Sequence, residues 1–242
     1  MTPSRPLINS LRKQLKAAAN PAKAPAMQAY MKSAMPYLGV SSVPLRAICK
    51  TTFTDFPLTT FDEFRDTLLI LWRDAKFREE RYAAIEFSGH KSYEQFQIVR
   101  LVPIYQEMIT TGAWWDYVDP IAAHRLGPLL GRFPNAMSRK MRAWSKSKNL
   151  WLRRSAILCQ LAFKKDTDLQ LLYDSIEPAI AEKEFFLRKA IGWALRQYAW
   201  SDSGEIIRYV KENKSRLSPL SIREALKNCQ RKPTRPPRKL RA

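Results

Sequence analysis

The chain has 242 residues, of which 42 are Lys or Arg and 22 are Asp or Glu, for a formal net charge of +20. Hydrophobic residues make up 45%, enough to bury a sizeable core and to exclude a disordered chain. The cationic excess favours a polyanionic partner, either nucleic acid or an anionic membrane.

Seven glycines leave little for hairpin turns or Gly-rich phosphate loops, and the fold class expected is all-α. Cys49, Cys159 and Cys229 lie far apart and are odd in number, so no disulfide framework is expected. With His90 and His124 as the two histidines, no Cys/His cluster has metal-ligand spacing. Neither a metal nor a cofactor is predicted. No apolar run is long enough to span a bilayer and the start lacks an apolar core, so membrane and export are not expected.

Helix punctuation recurs along the chain. Asn20-Pro21 predicts an N-cap with proline at the first helical position. Gly39 predicts a C-terminal cap after a helix through Tyr30 and Met35. Over 187–198, Leu187, Ala190, Ile191, Ala194, Leu195 and Tyr198 follow the spacing of a buried helix face. Ser221 and Glu224 have capping-box spacing before the final helix. Trp72, Trp144 and Trp200 are expected in the core, and His90 and His124 carry no assigned role.

The helices repeat. A small-apolar pair recurs at Ala47-Ile48, Ala84-Ile85, Pro120-Ile121, Ala156-Ile157 and Ala190-Ile191, with isoleucine spacings of 37, 36, 36 and 34. Trp115, Trp151 and Phe185 stand six positions before three of these isoleucines. A period of this size marks stacked helical repeats, whose units bury their apolar faces only against neighbours. A superhelical solenoid with a concave, basic, DNA-binding groove is therefore predicted. Arg46, Arg81, Arg153, Arg154, Arg188 and Lys189 fall at related points of the repeats, and a stripe of phosphate contacts is expected from them.

One unit departs from that pattern by carrying Asp116 and Asp119 where the others are cationic. Asp116 suits the first turn of a helix, where acids are favoured. Asp119 lies one helical turn after Trp115, so indole and carboxylate share a face. That pairing suits a planar cationic ligand, and on spacing alone it equally suits a core Trp beside a salt-bridged Asp.

Trp114-Trp115-Asp116-Tyr117-Val118-Asp119, Asn149-Leu150-Trp151-Leu152-Arg153-Arg154 and Lys183-Glu184-Phe185-Phe186 through Ala190-Ile191-Gly192-Trp193 resemble the AlkD family. Tyr30-Met31-Lys32 and Ser218-Pro219-Leu220-Ser221 extend the resemblance over roughly residues 6–230. These are bacterial DNA alkylation repair glycosylases of HEAT-like repeats. The resemblance implies a monofunctional glycosylase that hydrolyses the N-glycosidic bond of cationic N3- and N7-alkylated purines in double-stranded DNA. It implies Asp119 as the catalytic carboxylate, Trp115 as the lesion-facing indole, and Arg154 as the arginine beside the active site. It further implies Trp193 and Tyr30 as lesion contacts. Arg153, Arg188 and Lys189 of the repeat register, together with Arg196, are expected to bind DNA. A monomer in the bacterial cytoplasm, associated with the nucleoid and needing no obligate protein partner, is expected.

One HEAT-like glycosylase domain is predicted over 1–230. A mobile tail over 231–242, with six basic residues and three prolines, is expected to add phosphate affinity. The rival readings are a non-catalytic HEAT-like protein that binds damaged or unusual DNA, and a solenoid adaptor for other proteins.

Overall fold

A computed structural model describes residues 3–229; the expected tail lies outside the described residues. Among the described residues there are fourteen α-helices and no strand. The chain divides into two compact units, Met1–Pro134 and Asn135–Ala242. No helix among the described residues is long and apolar enough to cross a membrane.

The first unit holds α1 (Arg5–Ala17), α2 (Ala24–Tyr30), α3 (Ser42–Asp55), α4 (Phe61–Arg73), α5 (Arg78–Ser88), α6 (Val102–Gly112), α7 (Trp115–Ile121) and α8 (Gly127–Arg132). Short local signals set their ends. Thr60 accepts a hydrogen bond from the Glu63 amide, two acids occupy the first turn of α4, and Arg73 occupies its last, in accord with the helix dipole. Leu7, Ile8, Leu11 and Leu15 bury one face of α1 completely or nearly so. Phe53, Phe64, Phe87 and Tyr93 fill the core with rings packed at centroid distances of 4.7–6.4 Å. Helix α5 packs on α3 on one side and α7 on the other, as stacked repeats require.

The second unit repeats that plan with α9 (Pro134–Ser145), α10 (Leu150–Leu158), α11 (Leu169–Ile176), α12 (Phe185–Tyr198), α13 (Ser203–Glu212) and α14 (Pro219–Ala225). Side chains of Asn149, Asp168, Glu184 and Asp202 cap α10, α11, α12 and α13. Helix α12 packs between α10 and α14. The five isoleucines of the repeat fall on α3, α5, α7, α10 and α12, and all but the half-buried Ile48 are buried. The predicted face of α12 is buried as well, apart from the half-buried Tyr198.

Three predicted helix ends differ. Asn20 does not start a helix; its carbonyl and side chain hold the turn before α2, whose N-cap is Lys23. Helix α2 stops at Tyr30, and Gly39 is no cap. Its φ of +84° and a Cβ position 2.0 Å from the Asn20 carbonyl oxygen demand glycine for close approach instead. At the last helix the cap is Ser218, which accepts from the Ser221 amide at 3.0 Å, with Pro219 opening the helix. Trp72 and Trp144 are buried, but Trp200 is 60% exposed and is not a core residue.

Gly192 sets how closely α12 and α14 approach. A Cβ there would stand 2.5 Å from the Glu224 Cβ and 3.0 Å from the Ser221 carbonyl oxygen. Gly192→Ala should therefore destabilise the protein by about 2 kcal/mol despite its gain in helix propensity, read as a lower midpoint in chemical denaturation.

Candidate functional site

Helix α7 carries the candidate chemistry, and its placement begins one residue before it. Ala113 adopts the left-handed conformation, φ 45° and ψ 39°, and its amide closes α6 by donating to Ile109. Trp114 is extended, so a two-residue connection reverses the chain into α7. Gly112 keeps this corner narrow: a Cβ would sit 3.0 Å from both Trp72 and Tyr117. Within α7, Pro120 withholds the amide that the Asp116 carbonyl would accept from.

The two acids of α7 play different parts. Asp116 takes the Arg78 guanidinium at 2.6 Å and the Tyr82 hydroxyl at 2.5 Å, and Tyr82 in turn lies 2.7 Å from the Tyr37 hydroxyl. Arg78 and Asp116 are 7% and 10% exposed, so this is a buried ion pair that fastens α7 to α5. The guanidinium also lies 4.2 Å from the Tyr117 ring centre. Burial pushes the Tyr82 hydroxyl far up, and the neighbouring Asp116 carboxylate pushes it further; it stays protonated and donates. Asp116 is thus a first-turn acid, as the sequence predicts, and a tertiary anchor besides.

Asp119 sits three residues on, with 9% of its surface exposed. Trp115 is half-buried one turn before it, so indole and carboxylate share one face of α7. Asp116 and Pro120 border a cavity of about 330 Å³, also lined by Met27, Arg46, Tyr82 and Ile85. Tyr30, at the end of α2, is 77% exposed.

In the second unit, Lys189, Trp193 and Arg196 fall at i, i+4 and i+7 on α12 and form one stripe. Lys189, Arg196 and Lys227 converge on the buried Glu224 at 3.1, 2.7 and 2.6 Å. Three cations around one carboxylate leave the cluster positive. Trp193 is half-buried between Lys189 and Arg196 along the helix. Arg154 is 4% exposed and donates to the Phe186 carbonyl at 2.5 Å. Arg153 pairs with Glu182 at 2.9 Å and donates to the Pro178 carbonyl, while Arg188 donates to the Glu182 carbonyl. Arg153, Arg154, Arg188 and Lys189 are therefore held in place by protein groups rather than standing loose in solvent. Arg81 lies over the Trp72 ring at 4.7 Å, and Arg46 is exposed.

The sequence reading missed the fasteners: Arg78, Tyr82 and Glu224. Nothing in a run such as Arg78-Glu79-Glu80 separates a buried pair from solvated charge. No cluster of three or more His, Cys, Asp or Glu able to hold a metal occurs among the described residues.

Pairs of helices stacked in series, a strong positive charge and an indole–carboxylate face on one short helix define a helical-repeat protein suited to DNA. The chain belongs to the DNA alkylation repair enzyme family, whose model matches residues 11–229. It is similar to the solved structure of a predicted DNA alkylation repair enzyme from Enterococcus faecalis, with a TM-score of 0.78 and 28% identity, covering 86% of this chain and 95% of that one. No curated protein matches it. Its field of action is accordingly DNA repair.

Two predictions test this fastening. Asp116→Asn leaves the buried Arg78 without its counter-charge and should cost about 3–5 kcal/mol, measured by urea denaturation beside the wild type. Burial alone would raise the Glu224 carboxyl, but hydrogen bonds from Lys227 and Lys189 outweigh it and hold its pKa below the ordinary 4.5. The stability it contributes is complete above the unfolded value and is lost as pH falls through the lower folded value. Glu224→Gln should be less stable at neutral pH by about 2 kcal/mol, and that deficit should shrink in melts taken below about pH 4.5.

Proposed function

We propose that the protein is a monofunctional DNA glycosylase that removes cationic N3- or N7-alkylated purines from double-stranded DNA by hydrolysing the N-glycosidic bond. The observation that carries this reading is the shared face of Trp115 and the nearly buried Asp119 on α7. A carboxylate within a protein of net charge +20 serves no phosphate. It serves a cation.

An alkylated purine already bears positive charge and departs as a neutral base without protonation by a general acid. As the C1′–N bond breaks, the electron pair leaves with the base and the sugar becomes oxocarbenium-like. Asp119, ionised, stabilises that cation and orients the water that attacks C1′; the water's proton passes to the carboxylate or to solvent. Trp115 offers its ring face to the sugar and the cationic nucleotide, a contact worth about 0.5–2 kcal/mol, and Trp193 is a further aromatic contact to the nucleotide. A neutral base gains neither leaving-group activation nor this attraction.

Tyr30, prominently exposed, contacts the lesion nucleotide. Lys189 and Arg196 flank Trp193 along α12 and, with Arg153 and Arg188, bind the phosphodiester backbone. Arg154, nearly buried, acts as a fixed charge toward phosphate rather than a reaching side chain. The protein works as a monomer, without a metal or other cofactor, in the bacterial cytoplasm.

The decisive measurement is release of free base from methylated duplex DNA. Asp119→Asn should lower single-turnover excision at least a hundredfold while keeping duplex affinity within a few-fold, because the change removes charge but little volume. Equal release by both proteins would remove Asp119 from the mechanism. Tight, salt-sensitive duplex binding with no release by either would favour a non-catalytic binder of damaged DNA.

A further inference from the structure

Beyond α7 the chain makes a single π-helical turn, Ala122–Leu126, before α8. Such turns recur at functional sites because they redirect a side chain within a helix. Here the turn carries Arg125 back onto the end of α5. The guanidinium lies directly on Gly89, where a Cβ would stand 2.2 Å from its Cζ and one terminal nitrogen. Glycine is what admits it.

Every acceptor of Arg125 is neutral. Its Nε donates to the Ile85 carbonyl and the Ser88 hydroxyl, both at 3.1 Å. Its terminal nitrogens donate to the carbonyls of Ile85 at 2.8 Å and His124 at 3.0 Å. Among the described residues no carboxylate pairs with it. Burial lowers its pKa, against the smaller opposing effects of Tyr105 and the nearby Glu86 carboxylate, yet an arginine does not give up its proton. With no carboxylate in direct contact, a cation so placed favours an approaching anion.

A cavity of about 280 Å³ opens beside it, lined also by Lys91, Glu94, His124 and Arg132. Arg132 donates to the Gln97 carbonyl at 3.1 Å and, among the described residues, has no carboxylate partner either. Three permanent cations face one acid, Glu94. We propose that this cavity is a phosphate-binding site, separate from the Asp119 face, that receives a backbone phosphate of the DNA duplex. Guanidinium groups match phosphate oxygens through paired N–H donors, and Lys91 adds a point charge. The proposal rests on DNA as the substrate and not on the chemistry of Asp119.

Lys91 and Arg132 are both exposed, so Lys91→Gln with Arg132→Gln removes the anion's partners without opening the core. Binding of the full-length protein to an undamaged duplex should be followed across a salt series. The double variant should lower the slope of log K against log salt by about one. It should weaken damaged and undamaged duplexes by the same factor. Lys211→Gln with Lys214→Gln, two exposed lysines outside the cavity, removes the same charge and should leave the slope unchanged. Equal slopes for the wild type and the Lys91/Arg132 variant would overturn the proposal. So would saturable binding of inorganic phosphate that the double variant loses while its DNA slope stays put, because the site would then serve free phosphate. No step of this test scores base release, so a protein without glycosylase activity still passes or fails it.

Discussion

Three consecutive charged residues at the start of α5 hold the first unit together. Arg78, Glu79 and Glu80 are 6%, 0% and 3% exposed, and each is spent on a different neighbour. Arg78 meets Asp116 on α7, Glu80 receives Arg12 from α1 at 2.8 Å, and Glu79 accepts the amides of residues 38, 39 and 40 at 2.8–3.0 Å. Buried charge is costly unless paired and fully hydrogen-bonded; here that demand fixes where α1, the 38–40 segment and α7 lie relative to α5. The position of Trp115 and Asp119 depends on that fastening, because α7 is only seven residues long and does not hold its own place.

Helix α7 also shows how one residue type serves two ends. Asp116 and Asp119 stand three residues apart and are neighbours on the helix surface, yet they have different parts. Asp116 is consumed by Arg78 and Tyr82 and gives the helix its anchor. Asp119 shares a face with an indole and is the group we assign to chemistry. The second unit follows the same logic with opposite sign: Glu224, fully occupied, keeps Lys189 and Arg196 in register on either side of Trp193 along α12.

Much of this was legible in the sequence because it depends on periodicity. The isoleucine repeat located five of the helices that stack, and the spacing from Trp115 to Asp119 placed both on one face. Chain ends of helices were less legible. Asn20, Gly39 and Ser221 each have the residue type of a cap, but Asn20 holds the turn before α2, Gly39 serves a close approach, and Ser221 lies within the first turn of α14, donating to its cap Ser218 and to the Arg188 carbonyl. Trp200 was misjudged for a related reason: indoles favour burial on average, and two residues past the end of α12 the apolar face no longer governs. The buried pairs were invisible, since Arg78-Glu79-Glu80 and Glu224 look in sequence like any solvated charge. Burial of such groups is decided largely by partners distant in the sequence, such as Asp116 for Arg78, Arg12 for Glu80 and Arg196 for Glu224.

The Glu79 contact has a consequence for how the protein comes apart. The stretch over 38–40 has no regular secondary structure, and a chain segment of that kind ordinarily loosens independently of the helices around it. Here three successive amides end on a single carboxylate that α5 buries completely. Releasing the segment leaves a naked charge in the core, and releasing the charge means unwinding the start of α5. The irregular stretch and the helix therefore open as one cooperative unit, and a nominal loop acquires the persistence of the helix that holds it.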